Sequence, residues 1–396
     1  MNPESSPSSV DLDPRTPKRE WDLLQALSSL NSNQGDRERL GPLLADKIDW
    51  EAVLRLADHH GTSLLLYQQL SNFPSGVPSS VLLLLRQRFE TNVHKSLFLT
   101  RELIRILDCL EGLGIEVLPY KGVVLSETYY GDMALRQSGD MDVFVRRRDV
   151  ARIKQAVRNL GYTLRLAIPD DAEEDYISSG YEWTFDSPAG KNLLELQWAL
   201  QPRFYAVDFD MEGLFERAMT ASVAGRVMKT PSADDLLLVL SLHAAKHVWG
   251  RLIWLCDIAQ LLKQGKLNWK WIDAQARELG IERILHVTLR LTNLFLATPI
   301  PAPAEDAVGA DRSAKDLAEE VAAGVMRGVS YEEAQVSYFH LMMRLRERRA
   351  DQLRFLLRLT LTPGPGEWET MRLPRAAFPL YRVVRLARLA SRFARG

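Results

Sequence analysis

Cysteine is scarce in this chain of 396 residues: only Cys109 and Cys256 occur, and they form no C-x-x-C pair. Their scarcity excludes a disulfide scaffold and a structural zinc knuckle, and it fits a reducing compartment. An excess of charge of one sign is also absent, because 50 Lys and Arg residues stand against 51 Asp and Glu residues. We therefore do not expect nucleic acid to be the main partner.

Long apolar runs are missing as well. The longest, Val81–Leu85 and Leu236–Leu240, fall far short of the roughly 18 residues that a membrane span needs. Residues 1–20 hold Pro, Ser and charged residues but no apolar stretch, so we expect a disordered tail, no signal peptide and a cytoplasmic protein. The phosphate loop G-x-x-x-x-G-K-[ST], the dinucleotide fingerprint G-x-G-x-x-G and the G-x-S-x-G elbow are absent too.

What the sequence does contain is a change of pattern in mid-chain. Apolar residues make up 46% of the chain, enough for a proper core. Helical periodicity predicts an N-terminal helical region over residues 21–112 and a C-terminal one over residues 206–396. Residues 113–205 read instead as a small α/β core. Its predicted strands are Ile115–Pro119, Met141–Val145, Tyr162–Ala167, Tyr181–Phe185 and Asn192–Trp198.

Carboxylates lie on two of these strands or directly beside them. Asp140 and Asp142 are two residues apart, so they project from the same face of a strand, and together they suit a Mg²⁺ ion. By itself, such a pair is more often an exposed acidic strand end than a metal site. Glu195 lies opposite the apolar face of another strand and would supply a third carboxylate for two-metal phosphoryl chemistry.

Phosphate-binding groups precede the aspartate pair. Gly122 follows a strand and opens a helix, where backbone N–H groups can meet a phosphate. Lys121 and Arg136 add positive charge near the expected triphosphate.

The order of these motifs resembles a known family. Lys121-Gly122, Arg136 and Asp140-Met141-Asp142 are followed by Glu195-Leu196-Gln197-Trp198, then by Leu242–His247 and the segment from Arg251 to Asp257. Over residues 20–390 the chain resembles the bacterial uncharacterised nucleotidyltransferase family, within the DNA polymerase beta-like nucleotidyltransferase superfamily.

The resemblance implies an α+β fold, in which a small mixed β-sheet nucleotidyltransferase core is flanked by N-terminal and C-terminal helical regions. It implies metal ligation by Asp140, Asp142 and Glu195, with Glu195 also able to deprotonate an acceptor hydroxyl, and it places Gly122 at the triphosphate. Two positions depart from the pattern. Lys121 precedes Gly122 where the superfamily usually has Gly-Gly or Gly-Ser, and Gln197 stands where relatives often have His.

The function that the resemblance implies is Mg²⁺-dependent transfer of a nucleoside monophosphate from an NTP, with ATP expected, and release of pyrophosphate. The acceptor would be of the hydroxyl type, on a small molecule, peptide, sugar or protein. The alternative is a catalytically idle, NTP-binding module that serves as accessory to a biosynthetic complex. A phosphohydrolase that uses His243 and His247 is a third hypothesis.

Three charged residues in the C-terminal half leave two interpretations open. Lys246, Arg251 and Asp257 could contact the nucleotide or form a structural ion-pair network, and we include Lys246 among the nucleotide-binding candidates. His243 and His247 share a helical face, but the catalytic Glu of an H-E-x-x-H zinc motif is replaced by Ala244, so packing or a phosphate contact is favoured.

The C-terminal segment from Arg372 to Gly396 carries seven arginines and no acidic residue. Val383, Leu386, Leu389, Ala390 and Phe393 recur at helical spacing and predict a basic amphipathic helix. Such a helix can contact an anionic surface, but we favour packing of its apolar stripe on the body of the protein.

Overall fold

The computed structural model describes residues 18–29, 40–45, 47–73, 76–166, 173–188, 190, 192–329, 336–362, 377 and 380–393. The predicted tail at residues 1–20 lies largely outside these ranges. The first helices are α1 (Lys18–Ser28), α2 (Trp50–His60), α3 (Ser63–Leu70) and α4 (Ser79–Gly112), with a short helical turn at residues 40–44. They confirm that the N-terminal region is helical.

A five-stranded mixed sheet follows α4. Its strands are β1 (Val117–Pro119), β2 (Asp140–Val145), β3 (Thr163–Leu164), β4 (Glu182–Asp186) and β5 (Leu193–Gln197). They lie in the order β1-β2-β5-β4-β3, and only the β2–β5 pair is parallel. The α+β fold with a small mixed sheet between helical regions is thereby confirmed. β3 is shorter than the strand predicted over residues 162–167, of which residue 167 lies outside the described part.

Short helices connect the strands of the sheet. Between β1 and β2 the short helix α5 (Gly122–Leu125) runs into a π-turn at Ser126–Tyr130. After β2 come α6 (Val150–Asn159) and α7 (Glu173–Ser179). Gly161 follows the end of α6, and its φ of +91° is a value that glycine adopts without strain.

The sheet separates two apolar cores, because strand side chains alternate between its faces. Met141, Val143 and Leu196 pack on one face against α4 and α6. Phe144 on the other face joins a larger core that is built mainly from the N-terminal and C-terminal helices. Polar residues at the strand ends therefore face the larger helical body.

The C-terminal half holds α8 (Met211–Glu216), α9 (Ala233–Lys246), α10 (Leu252–Gln264), α11 (Trp269–Leu279), α12 (Glu282–Leu296), α13 (Ala302–Ala310), α14 (Arg312–Met326), α15 (Val336–Arg344), α16 (Arg349–Leu361) and α17 (Tyr381–Phe393). Among the described residues, no helix combines the length and apolar character that crossing a bilayer demands.

A β-hairpin interrupts this half, which the sequence predicts as helical. Strands β6 (Met219–Val223) and β7 (Arg226–Thr230) pair antiparallel across Ala224-Gly225. Both turn residues have positive φ, +50° and +79°, as a tight hairpin turn requires. The local signal is weak because alanine rarely takes that conformation.

The orientation predicted for the C-terminal helix is wrong in the described part. Val383 is 59% exposed and Leu386 is 45% exposed, whereas Tyr381 and Arg385 are buried. The arginine can occupy the inner face because its Nε donates a hydrogen bond to the carbonyl oxygen of Leu359 and its guanidinium lies over the ring of Phe204. The apolar stripe therefore faces outward here; the side chains of Leu389, Ala390 and Phe393 lie outside the described part.

Candidate active site

Two carboxylates lie side by side on the parallel strands β2 and β5. The register pairs Asp142 with Glu195 and Asp140 with Leu193. Alternation turns Met141, Leu194 and Leu196 into the apolar core, so Asp140, Asp142 and Glu195 share the opposite face. The structure thus brings these three predicted site residues to one face of the sheet, and Glu195 points away from the apolar core that Met141 and Leu196 join.

The Lys121 side chain closes this face. Its ammonium nitrogen lies 3.0 Å from Asp142 Oδ1 and 3.4 Å from His243 Nδ1, and both partners of the ion pair are nearly inaccessible. Burial acts to lower the pKa of Lys121, but the negative charges of Asp142, Glu195 and Asp140 outweigh it and raise the pKa above its usual value. Lys121 is therefore held as a cation among the carboxylates.

One lysine does not neutralise the group. Burial and the charges of Asp142, Glu182 and Asp140 raise the pKa of Glu195 well above its usual value of 4.5. Burial also raises the pKa of Asp142, even though Lys121 opposes the shift. Burial is the larger cause of both shifts, but repulsion between the neighbouring carboxylates contributes, and a further cation would relieve that repulsion.

Gly122 forms the turn that leads from β1 into α5. Its φ is +57°, in the left-handed region that glycine adopts without strain. A Cβ atom at this position would lie 3.1 Å from Ser138 Oγ and 3.4 Å from the Asp140 carbonyl oxygen. Ser138 in turn donates to Asp140 Oδ1 at 3.2 Å. The glycine therefore lets the turn approach the backbone of the aspartate pair closely.

A fourth carboxylate, which the sequence argument missed, joins the site through Gln197. The Nε2 atom of Gln197 donates to Glu195 Oε2 and to Glu182 Oε2, at 3.3 Å in each case. Its Oε1 atom accepts a 2.7 Å hydrogen bond from the Tyr120 hydroxyl. Because an amide does not titrate, Gln197 itself carries no charge at any pH. Alternation with Trp183 and Phe185 was the available signal for Glu182.

Lys246, on α9, approaches the carboxylates on the same face of the sheet. Its ammonium lies 3.4 Å from the hydroxyl of Tyr181 and 5.2 Å from the centre of that ring. The Tyr181 hydroxyl donates to Glu182. Lys246 is therefore linked to the carboxylate cluster through Tyr181, and its charge acts to lower the pKa of Glu182, which burial raises.

Arg136 is committed to a buried ion pair. Its Nε lies 2.9 Å from Asp257 Oδ1 and its Nη2 lies 3.0 Å from Asp257 Oδ2, while the Tyr130 hydroxyl donates to the same carboxylate at 2.8 Å. Of the two interpretations of Asp257, the structure therefore favours the ion-pair network. The charge of Asp140 helps to raise the pKa of Arg136, so the guanidinium borders the site.

The rings of His243 and His247 meet edge to face beside Trp254, with their centres 4.9 Å apart. Burial lowers the pKa of both well below 6.5, and the charges of Lys121 and Lys246 lower it further. Neutral imidazoles can bind metal, but nothing among the described His, Cys, Asp and Glu residues forms a group of three that could hold an ion in this conformation.

The donor set nevertheless fits magnesium in its chemistry. Asp140, Asp142 and Glu195 offer only hard oxygen atoms, which Mg²⁺ prefers, and repulsion between these carboxylates contributes to the raised pKa values of Asp142 and Glu195. The cavity that Lys121, Gly122, Asp140 and Asp142 help to line measures about 10 Å³, room for about one water molecule. A cavity of this size is too small for a triphosphate.

Comparison with known proteins places the chain in a family. A family model described as uncharacterised nucleotidyltransferase matches residues 46–297, more than half of the chain, so the chain belongs to this family. A solved structure of the antibiotic-resistance factor ANT(2'')-Ia is 13% identical, covers 51% of this chain and 91% of its own, and gives a TM-score of 0.31. The comparison with curated proteins finds no significant match.

Proposed function

We propose that this member of the uncharacterised nucleotidyltransferase family transfers a nucleoside monophosphate from an NTP, ATP first among them, to a hydroxyl-type acceptor and releases pyrophosphate. The observation that carries the proposal is the pairing of Asp142 with Glu195 on parallel strands, on the face that Lys121 and the Gly122 turn border. Family membership and this arrangement of carboxylates point to the same chemistry.

Magnesium is part of the proposal. Asp140 and Asp142 would hold the ion. Glu195, whose pKa is affected by burial and by the charges of both aspartates, would be the third carboxylate of the site. When bound, Mg²⁺ would neutralise phosphate charge and favour in-line displacement at the α-phosphorus.

The protein's own groups would bind the phosphates and move the proton. Backbone N–H groups at the start of α5 would donate to phosphate oxygens. Lys121, once it leaves Asp142, would offset the negative charge of the triphosphate. The acceptor oxygen would attack the α-phosphorus as the bond to the bridging oxygen breaks, and pyrophosphate would leave. Glu195 would take the acceptor's proton, a role for which a raised pKa suits a carboxylate.

The test measures both the transfer of label to an acceptor and the release of pyrophosphate. The full chain is incubated with Mg²⁺, with each α-labelled NTP in turn and with a cell extract as the source of acceptors. We expect pyrophosphate release and a labelled product, and a loss of about a hundredfold or more for Asp142→Asn and Glu195→Gln. Asp316→Asn, an exposed position on α14, serves as the matched control and should retain activity.

Two results would contradict the proposal. Turnover that survives Asp142→Asn but is lost in His243→Gln would favour phosphohydrolase chemistry at the histidine pair. NTP binding by calorimetry without any labelled product or pyrophosphate, in extract fractions of every size class, would favour the idle accessory module.

A further inference from the structure

The last two described helices turn apolar side chains toward solvent. On α16, Leu353 is 58% exposed and Leu357 is 51% exposed; on α17 the corresponding values for Val383 and Leu386 are 59% and 45%. We call the C-terminal apolar surface the set Leu353, Leu356, Leu357, Leu361, Leu380, Val383 and Leu386, all of which are exposed. Exposed apolar clusters are unusual on a monomer and mark contact surfaces.

Packing of the inner faces fixes this orientation. The two helices contact each other, and Phe355 and Leu359 of α16 are buried together with Tyr381 and Arg385 of α17. At 100° per residue, Leu353 and Leu357 lie opposite Phe355 on α16. On α17, Val383 lies opposite the buried Tyr381 and Arg385, and Leu386 lies about 100° from Arg385 and about 140° from Tyr381. The outward stripes are therefore a consequence of how the helices pack.

Positive charge is concentrated in the same part of the chain. Residues 348–396 contain eleven arginines, no lysine and three acidic residues, whereas the whole chain has a net charge of -1. Arg349 and Arg382 are exposed at the two helices. Arg358, by contrast, is paired with Asp208 and adds little to an external field.

We propose that the C-terminal apolar surface binds the face of an anionic lipid membrane, with its leucines inserted at the acyl boundary and its arginines at the headgroups. Exposed apolar stripes flanked by arginine are what an interfacial helix pair requires. Arginines near such a surface are attracted to anionic lipids and can extend to the headgroups. A polynucleotide would pair with the arginines but would gain little from seven exposed aliphatic side chains. A second copy of the chain would bring the same positive charge against itself.

The test is flotation of the full-length protein with vesicles. We expect binding to vesicles of phosphatidylglycerol and phosphatidylcholine, little binding to phosphatidylcholine alone, and release at high salt. The double variant Val383→Asp/Leu386→Asp should bind at least about tenfold more weakly. Arg349→Gln/Arg382→Gln should weaken binding to the anionic vesicles only. Leu83→Asp/Leu97→Asp, at positions of α4 that are 57% and 52% exposed, is the matched control and should bind like the wild type.

Circular dichroism and light scattering complete the experiment. Each variant should keep its helical signal, which separates loss of contact from loss of fold. Failure of the wild type to float with anionic vesicles overturns the proposal, as does an equal loss in the control. A dimer of the free protein that Val383→Asp/Leu386→Asp dissociates would assign the surface to a second copy. Binding of RNA that depends on the arginines but not on Val383 and Leu386, without vesicle binding, would assign it to polynucleotide.

Discussion

Asp142 and Glu195 are register partners on parallel strands, although β3 and β4 lie between them in the sequence. Because side chains alternate along a strand, a slip of β5 by one residue would turn Glu195 into the core and bring Leu194 to the site. Pairing of β5 with β4 on its other side, which sets Thr184 against Glu195, holds the same register. The juxtaposition of the two carboxylates is therefore fixed by the whole sheet.

Gly122→Ala should impair nucleotide binding more than stability alone explains. The new Cβ would lie 3.1 Å from Ser138 Oγ and 3.4 Å from the Asp140 carbonyl, in a left-handed conformation that costs alanine about 1–2 kcal/mol. The matched control is Gly131→Ala, which has a φ of +75° but no atom within 4 Å of the added Cβ. Both variants should unfold at lower urea concentration, but only Gly122→Ala should lose NTP affinity by calorimetry. Equal affinity losses would contradict a role for the Gly122 turn in the site.

Lys121→Met should make the protein dependent on divalent cations for stability. Removal of the ammonium leaves the buried Asp142 carboxylate without its partner, a loss of about 3–5 kcal/mol where no other cation replaces it. Added Mg²⁺ or Mn²⁺ should then raise the melting temperature of Lys121→Met by more than that of the wild type. The readout is a thermal melt at several metal concentrations and requires no substrate.

Lys270→Met is the control for this prediction, because Lys270 is exposed on α11. Its melting temperature and its response to metal should match those of the wild type. If metal stabilises Lys121→Met no more than the wild type, the ammonium does not compete with cations for the carboxylates.

The sequence predicts those features of the site that depend on neighbouring residues, but not those that join residues far apart in the chain. Period-two alternation is local, so the common face of Asp140 and Asp142 and the outward position of Glu195 follow from a few neighbouring residues. The partner of Arg136 is Asp257, 121 residues away, and no local pattern specifies such a pair. The lysine–carboxylate contact of Lys121 depends likewise on the fold.

Other differences have their own physical causes. The outward stripe of α17 defeats the usual rule that apolar faces pack inward, because Arg385 is accommodated on the inner side by a carbonyl and an aromatic ring. The hairpin of β6 and β7 is concealed by a turn at Ala224 that lacks the usual Asn or Asp. The domain boundaries at residues 20, 112 and 205 stay predictions.

Asp257→Asn should destabilise the fold strongly, whereas Asp208→Asn should not. Asp257 is 1% exposed in its ion pair with Arg136, and breaking such a pair costs about 3–5 kcal/mol because a buried charge is left unpaired. Asp208, 58% exposed opposite Arg358, should cost at most about 1 kcal/mol. Urea unfolding of both variants measures the difference. Similar free energies of unfolding for the two would contradict a structural role for the Arg136–Asp257 pair.

Three buried histidines should destabilise the folded protein as the pH falls below about 6.5, the usual pKa of an unfolded histidine, and this effect opposes that of the buried carboxyl groups whose pKa is raised. Burial lowers the folded-state pKa of His60, His243 and His247 well below that value, so the unfolded chain binds protons that the folded chain does not. The stability that these groups contribute is therefore fully present above the unfolded-state pKa, and it decreases as the pH falls from that value toward the folded-state pKa. Each contributes a slope of about 1.4 kcal/mol per pH unit until its folded-state pKa is reached.

His60→Asn isolates one of the three. His60 lies on α2, in the N-terminal helical region. Its Nδ1 accepts a 3.4 Å hydrogen bond from the backbone N–H of Leu252, and its ring packs on Trp21. Urea unfolding gives the free energy of unfolding of each protein at pH 7.5 and at pH 5.5. Between these pH values, the free energy of unfolding should fall by about 1 kcal/mol less for His60→Asn than for the wild type. His94→Asn, exposed on α4, should leave the wild-type difference unchanged. An unchanged difference in His60→Asn would mean that His60 takes up its proton without unfolding.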